Sequence, residues 1–298
     1  MLKKKILITG GSGFLGWHLA RHFRRKYEVS ATYHSNPLTI DGVKTIRMNI
    51  TSGKEVVERI SKLKPDVVVH AAANTNVDGC KENKEGAYAA NVTGTENVLK
   101  AAADIGAFLI YTSTDLVFGE DGSMYTEEDA PYPMNYYGWT KLEAEKKVAE
   151  GGSSITLRVV LMYGADTGIK GSFLRWMKKG LESGQEVKLY TDQFRSPLYV
   201  DDAAAAIEAV IQGKARKPLY HIGGPERIDR YSFGRIYAGV FGFDPRLLIP
   251  VTMDEVASRA RRPRDCSLSI ERAREDLGFN PRAVREALIS MKESILSR

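Results

Sequence analysis

The sequence predicts an α/β fold: a Rossmann-type doubly wound parallel sheet with a smaller, mostly helical C-terminal domain. Three observations carry this. Short β-branched apolar runs alternate with helical stretches through the first half, as in serial βαβ units whose sheet is covered on both faces. Glycines at GxxGxxG spacing interrupt the first strand–helix junction, and beyond Gly164 the alternation weakens.

In chain order, strands are expected at Ile6–Thr9, Val29–Tyr33, Thr45–Met48, Val67–Ala71, Phe108–Ser113 and Thr156–Val160. Helices are expected between them at about Gly16–Arg25, Lys54–Leu63, Glu85–Ile105 and Tyr137–Glu150. A further helix near Phe173–Glu182 precedes a return to sheet and helix at Ser196–Gln212 and Leu219–Ile222, and a basic, mostly helical tail follows Tyr231. These boundaries assign 1–164, with a return segment at about 196–222, to the dinucleotide-binding type of domain. They leave 165–195 and 223–298 to the second domain.

Composition narrows the class. The 298 residues are 43% hydrophobic and 27% charged, enough for one large or two unequal cores. No window approaches the roughly 18 consecutive apolar residues of a spanning helix, and Met1-Leu2-Lys3-Lys4-Lys5 runs directly into a strand without a signal-peptide apolar region. A cytoplasmic location is expected. Cys80 and Cys266 lie far apart and have no ligand-like companions, and His18, His22, His70 and His221 lack metal-site spacing; neither a disulfide framework nor a metal site is expected. The net charge of +6 is spread along the chain, with one cluster at Arg259, Arg261, Arg262 and Arg264. A small anionic ligand explains that excess better than nucleic acid does.

The segment Thr9-Gly10-Gly11-Ser12-Gly13-Phe14-Leu15-Gly16 follows a strand and opens a helix. A pyrophosphate needs this: a turn with positive φ, close backbone approach, and free N–H groups at a helix N-terminus. Gly10, Ser12, Gly13, Phe14, Leu15 and Gly16 are therefore candidate cofactor contacts. The second strand ends in Tyr33-His34-Ser35-Asn36, with no acid to repel a 2′-phosphate. Tyr33 and His34 thus point to NADP(H) as the preferred cofactor, with NAD(H) possible.

Of fourteen tyrosines, only Tyr137 has a lysine four residues on, Lys141, which puts the two on one helical face. A phenol titrating near pH 10 is a poor acid at neutral pH, and an adjacent ammonium is expected to lower its pKa. The run Tyr111-Thr112-Ser113-Thr114-Asp115 ends the fifth strand close by in the expected topology. The stripe Phe173, Trp176, Met177 and Leu181 has helical spacing and is expected to form core or dimer contacts.

With these motifs in view, the sequence resembles the extended short-chain dehydrogenase/reductase family over nearly its whole length. The resemblance rests on TGGSGFLG at 9–16, His70-Ala71-Ala72-Ala73, Asn91-Val92-Thr93-Gly94-Thr95, Tyr137/Lys141 and Leu157-Arg158. Within it, Ser113-Thr114-Asp115-Leu116-Val117-Phe118, Asp192-Gln193-Phe194-Arg195-Ser196-Pro197 and Arg262-Pro263 followed by Leu268 are similar to the dTDP-4-dehydrorhamnose reductase group. The resemblance implies NAD(P)H-dependent reduction of the C4 ketone of a nucleotide-linked 6-deoxy sugar by a homodimer. In that scheme Tyr137 is the proton donor, Lys141 the ribose-binding cation and Thr114 the carbonyl-orienting hydroxyl. It further implies that Asn49, Ile50, Ala71, Ala72, Ala73 and Asn91 border the cofactor and that Asp115 holds a sugar hydroxyl; by residue chemistry Arg195 is either a clamp on the substrate diphosphate or a solvated side chain, and Arg262, in the basic segment, is a candidate for the same diphosphate. Leu116 stands where related dehydratases carry glutamate, which argues against dehydration. Phe14, Leu161 and Arg195 depart from the group's usual residues. Two alternatives share the resemblance: an NAD-dependent nucleotide-sugar epimerase, and a nucleotide-binding regulatory subunit similar to that of methionine adenosyltransferase.

Overall fold

Period-two alternation along the strands sends Ile6, Ile8, Val67, Val69 and Ile110 to one face of a central sheet and Leu7, Val68 and Leu109 to the other. The computed structural model, which describes residues 3–119, 122–169, 172–256 and 260–296, shows both faces covered. Arg259 of the basic cluster lies outside the described residues. The sheet comprises β1 (Lys5–Thr9), β2 (Glu28–Tyr33), β3 (Lys44–Arg47), β4 (Val67–His70), β5 (Phe108–Thr114), β6 (Ser154–Val159) and β7 (Leu219–Ile222). Its order is β7-β6-β5-β4-β1-β2-β3, every neighbour parallel. This is the doubly wound arrangement expected.

One face packs on the helices Phe14–Phe23 and Val200–Ile211, burying Leu19, Phe23, Ala204 and Ile207 completely. The other packs on Gly53–Leu63, Gly94–Ala103 and Tyr136–Glu150 through Val56, Ile60, Val98 and Ala144. Each fully buried Leu, Ile or Phe contributes roughly 1.5–3 kcal/mol. A separate core forms in the C-terminal part. There the helices Phe173–Glu182, Arg230–Phe241 and Val284–Leu296 enclose a parallel strand pair, Val187–Tyr190 with Leu248–Val251, over Met177, Leu181, Phe233, Tyr237 and Leu288. No helix among the described residues is long and apolar enough to cross a membrane.

The expected helix Glu85–Ile105 is broken. It runs as Lys84–Tyr88, one wide five-residue π-type turn at Ala89–Thr93, and Gly94–Ala103. The widened turn carries Asn91, whose amide accepts from Asn74 N (2.7 Å) and donates to Asn74 O (3.1 Å) and Thr140 Oγ1 (2.9 Å). A short helix, Val77–Glu82, capped by the Asn76 side chain, was not foreseen.

Candidate active site

The chain leaves β1 and β4 toward opposite faces of the sheet, so a crevice opens at their carboxyl ends. A cleft of about 1210 Å³ extends from this crevice to the C-terminal part, larger than the few hundred to 1,000 Å³ that one small ligand occupies.

The wall on the β1 side is made of backbone. Gly10 has φ of 73°, and a Cβ there would lie 2.7 Å from Ala72 Cα; a Cβ on Gly16 would overlap the carbonyl oxygen of Gly10. Larger residues are excluded because the turn, the helix and the loop after β4 meet there without intervening side chains. Gly11 N donates to Thr32 O (2.6 Å) and Gly13 N to Gly10 O (2.8 Å), fixing the turn. Gly13 caps the helix Phe14–Phe23 without a side-chain acceptor, and its first turn holds no acid. These first N–H groups therefore face the crevice without a competing anion, the donor set a pyrophosphate requires. Behind the turn, His70 joins Thr9 (Nδ1–Oγ1 2.6 Å) to Thr95 (Nε2–Oγ1 3.1 Å). Burial, with Lys141 nearby, lowers its pKa to about 3, so it stays neutral and acts as a brace.

Tyr137, Lys141 and Thr114 are 7%, 3% and 6% exposed, and all three line the cleft. The Asn135 side chain caps their helix at Gly138 N (2.9 Å), and Gly138 is needed because a Cβ there would overlap Leu116 O. The helix thus lies against the turn that follows β5, bringing phenol and threonine hydroxyl together. Lys141 Nζ donates to Thr112 O (2.8 Å) and sits 4.2 Å from the Tyr111 ring centroid. Burial lowers its pKa from 10.5 to about 7, with Glu145 one turn on pulling it up. Burial pushes the Tyr137 phenol well above its usual value; the Thr114 hydroxyl offsets part of this and the Asp115 carboxylate adds to it. The Lys141 ammonium is turned to the Thr112 carbonyl, and the raising influences on the phenol outweigh the lowering one. Tyr137 is consequently protonated at neutral pH, which is the state a proton donor must hold.

The back of this helix is anchored by a buried pair. Arg158 on β6 grips Glu145 with Nε (3.1 Å to Oε1) and a terminal nitrogen (2.8 Å to Oε2), while its other terminal nitrogen lies 3.3 Å from His221 Nε2 on β7. Burial and the Arg158 charge lower the His221 pKa to about 3.

The opposite wall is made of charged side chains. Asp115 accepts from the Thr114 hydroxyl (3.0 Å) and the Cys266 thiol (3.3 Å), and lies 3.6 Å from Arg195 Nε. Arg195, 3% exposed, also donates to Pro263 O (3.1 Å). Arg262 bonds Asp78 (2.8 Å). Phe173 and Trp176 line the mouth, whereas Met177 and Leu181 enter the core, so the expected stripe divides between two tasks.

Of the residues expected at the site, Gly13, Phe14, Leu15 and Gly16 line the cleft, as do Ala71 and Ala73, the Thr114/Tyr137/Lys141 set, and Asp115, Arg195 and Arg262. Gly10, Ser12 and Ala72 lie in the loops that shape it but are not in its lining. Tyr33 ends β2, His34 follows it, and Asn49 and Ile50 follow β3, all outside the cleft lining. Asn91 does not reach the cleft either; its amide ties the loop after β4 to the catalytic-type helix. Sequence reasoning missed Arg230, which lines the cleft 4.9 Å from the Phe173 ring centroid and donates to Gln193 Oε1 (3.0 Å). No local motif marks it. Among the described residues, no group of three or more His, Cys, Asp or Glu side chains is placed to hold a metal ion.

Comparison with known proteins gives concordant matches. The family model described as the RmlD substrate binding domain matches residues 4–296. A probable low-salt glycan biosynthesis reductase of Haloferax volcanii is 30% identical over 294 residues, 96% of each chain. Methionine adenosyltransferase 2 subunit beta of Bos taurus is 31% identical over 301 residues, 98% of this chain and 87% of the relative. The crystal structure of dTDP-4-dehydrorhamnose reductase from Bacillus anthracis in complex with NADP superposes with a TM-score of 0.87 at 25% identity, covering 98% of this chain and all of the other.

Proposed function

The chain belongs to the RmlD substrate binding domain family of the extended short-chain dehydrogenases/reductases, and on that premise we propose that it reduces the C4 ketone of a nucleotide-linked 6-deoxy sugar with NAD(P)H. One observation carries the reading: Tyr137, Lys141 and Thr114 line the same cleft as the uncapped, glycine-walled helix N-terminus.

The residues fit a nicotinamide dinucleotide. The N–H groups of Phe14 and Leu15 would hold its pyrophosphate, and Lys141, on releasing Thr112 O, its ribose hydroxyls. When bound, the reduced nicotinamide supplies the hydride. Thr114 turns its hydroxyl from Asp115 to the substrate carbonyl oxygen, which frees the Asp115 carboxylate to accept a sugar hydroxyl. Tyr137 gives its phenolic proton to that same oxygen as the carbon is reduced, and the Lys141 ammonium steadies the phenolate until solvent restores the proton. A preference for NADP(H) is supported by the lack of an acid after β2 and by the parallel register that sets exposed Arg47 beside Tyr33.

A second reading, a nucleotide-bound regulatory subunit, is favoured by the 31% identity to methionine adenosyltransferase 2 subunit beta. The complete Tyr137/Lys141/Thr114 set supports catalysis instead. An NADPH- and NADH-oxidation assay against a panel of 4-keto-6-deoxy nucleotide sugars separates the two: the proposal expects turnover with at least one member, faster with NADPH. No oxidation with any of them would overturn it.

A further inference from the structure

Three guanidinium groups line the substrate wall, and they are not equivalent. Arg195 is matched by the Asp115 carboxylate at 3.6 Å and Arg262 by Asp78 at 2.8 Å. Arg230 has the neutral amide of Gln193 on its Nε, and one of its terminal nitrogens, Nη1, is buried with no hydrogen-bond partner among the described residues. From this asymmetry we infer that Arg230 is a diphosphate-binding residue of the substrate site, its unpartnered nitrogen donating to a phosphate oxygen. The inference rests on the nucleotide-sugar reading and deepens it.

A buried guanidinium nitrogen without a hydrogen-bond partner is costly, and the Phe173 ring beneath the half-buried Arg230 side chain offsets only part of that cost. Burial and the neighbouring Arg195 charge depress the Arg230 pKa to about 9, a loss that Asp115 only partly offsets. Five basic side chains line the cleft against two acidic ones, Asp78 and Asp115, and both acids already face an arginine. A ligand must supply the missing anion.

Position identifies which anion. Arg230 interacts electrostatically with Asp115 and Arg195 at the Thr114 end of the cleft, and packs on Phe173, which with Trp176 and Tyr190 lines the aromatic mouth. Of a nucleotide sugar laid with its ketone at Tyr137, the part between sugar and base is the diphosphate. A planar guanidinium suits paired phosphate oxygens better than an ammonium does.

The test is calorimetric binding of dTDP, UDP, thymidine and NADPH to wild type, Arg230→Gln and Arg230→Lys. Arg230→Gln should lose roughly 10- to 100-fold in affinity for the better-bound diphosphate, the range of one charge-assisted hydrogen bond, with thymidine and NADPH affinities unchanged. Arg230→Lys keeps the charge and should lose less, yet still measurably; it also serves if the glutamine variant does not fold. Diphosphate binding by either variant equal to wild type overturns the inference and leaves the reductase reading standing. A wild type that binds NADPH but neither dTDP nor UDP overturns both.

Discussion

The two walls of the cleft achieve specificity by opposite means. The β1-side wall is backbone: glycines whose side chains would collide with Ala72 or the Gly10 carbonyl, and a helix end offering N–H groups. The far wall is side chains in matched charge pairs, Asp115 with Arg195 and Asp78 with Arg262. A backbone wall is intolerant of added volume but carries no buried charge. A wall of paired charges tolerates volume better and is intolerant of losing one partner. The first is suited to a ligand part common to many enzymes, the second to a part that varies.

This contrast is testable in descending order of effect. Asp115→Asn leaves the Arg195 guanidinium, 4% exposed, without its carboxylate, and should lower unfolding free energy by about 3–5 kcal/mol; chemical denaturation measures it, and a loss near zero would mean the carbonyls of Phe194 and Pro263 suffice. Gly16→Ala adds one methyl to the backbone wall and should cost about 1–3 kcal/mol, while NADPH affinity falls and diphosphate affinity holds. Equal losses of both affinities would erase the division between the walls.

A smaller effect concerns Lys141. Its folded pKa of about 7 lies below the 10.5 of an exposed lysine, so between those values the unfolded chain binds more protons than the folded one. Stability of the ligand-free protein from this group therefore rises as pH increases from about 7 to 10.5, and its full penalty is present below 7. Melting temperature against pH should show that rise in wild type and a flatter curve in Lys141→Met; parallel curves would remove the buried ammonium from the account. Smallest is Arg47→Ala, which should reduce the NADPH-over-NADH preference about fivefold or less, as for an exposed ion pair of up to about 1 kcal/mol. An unaltered kcat/KM ratio would leave Tyr33 and His34 to account for cofactor choice.

The same contrast explains what was legible in the sequence. The strands, the glycine turn and the i, i+4 placement of Tyr137 and Lys141 are encoded over a few neighbouring residues, and the structure shows the strands within about two residues of their expected ends. The family resemblance places Asn91 at the cofactor, yet the π-type turn that aims it at Asn74 has no signature in residue type alone. Arg230 was invisible for a related reason. Its significance is a buried terminal nitrogen without a hydrogen-bond partner among the described residues, and that depends on contacts such as Asp78–Arg262, 184 residues apart in sequence. The acceptor of the Lys141 ammonium, here the Thr112 carbonyl, was not legible because spacing fixes the helical face and not the partner.

The central claim is that the buried, protonated Tyr137 phenol delivers a proton to a sugar ketone. Single-turnover NADPH oxidation by Tyr137→Phe, on the keto-sugar nucleotide that wild type uses best, tests it most directly. The account predicts unchanged NADPH affinity with turnover reduced by on the order of 10²–10⁴. Turnover equal to wild type would contradict it.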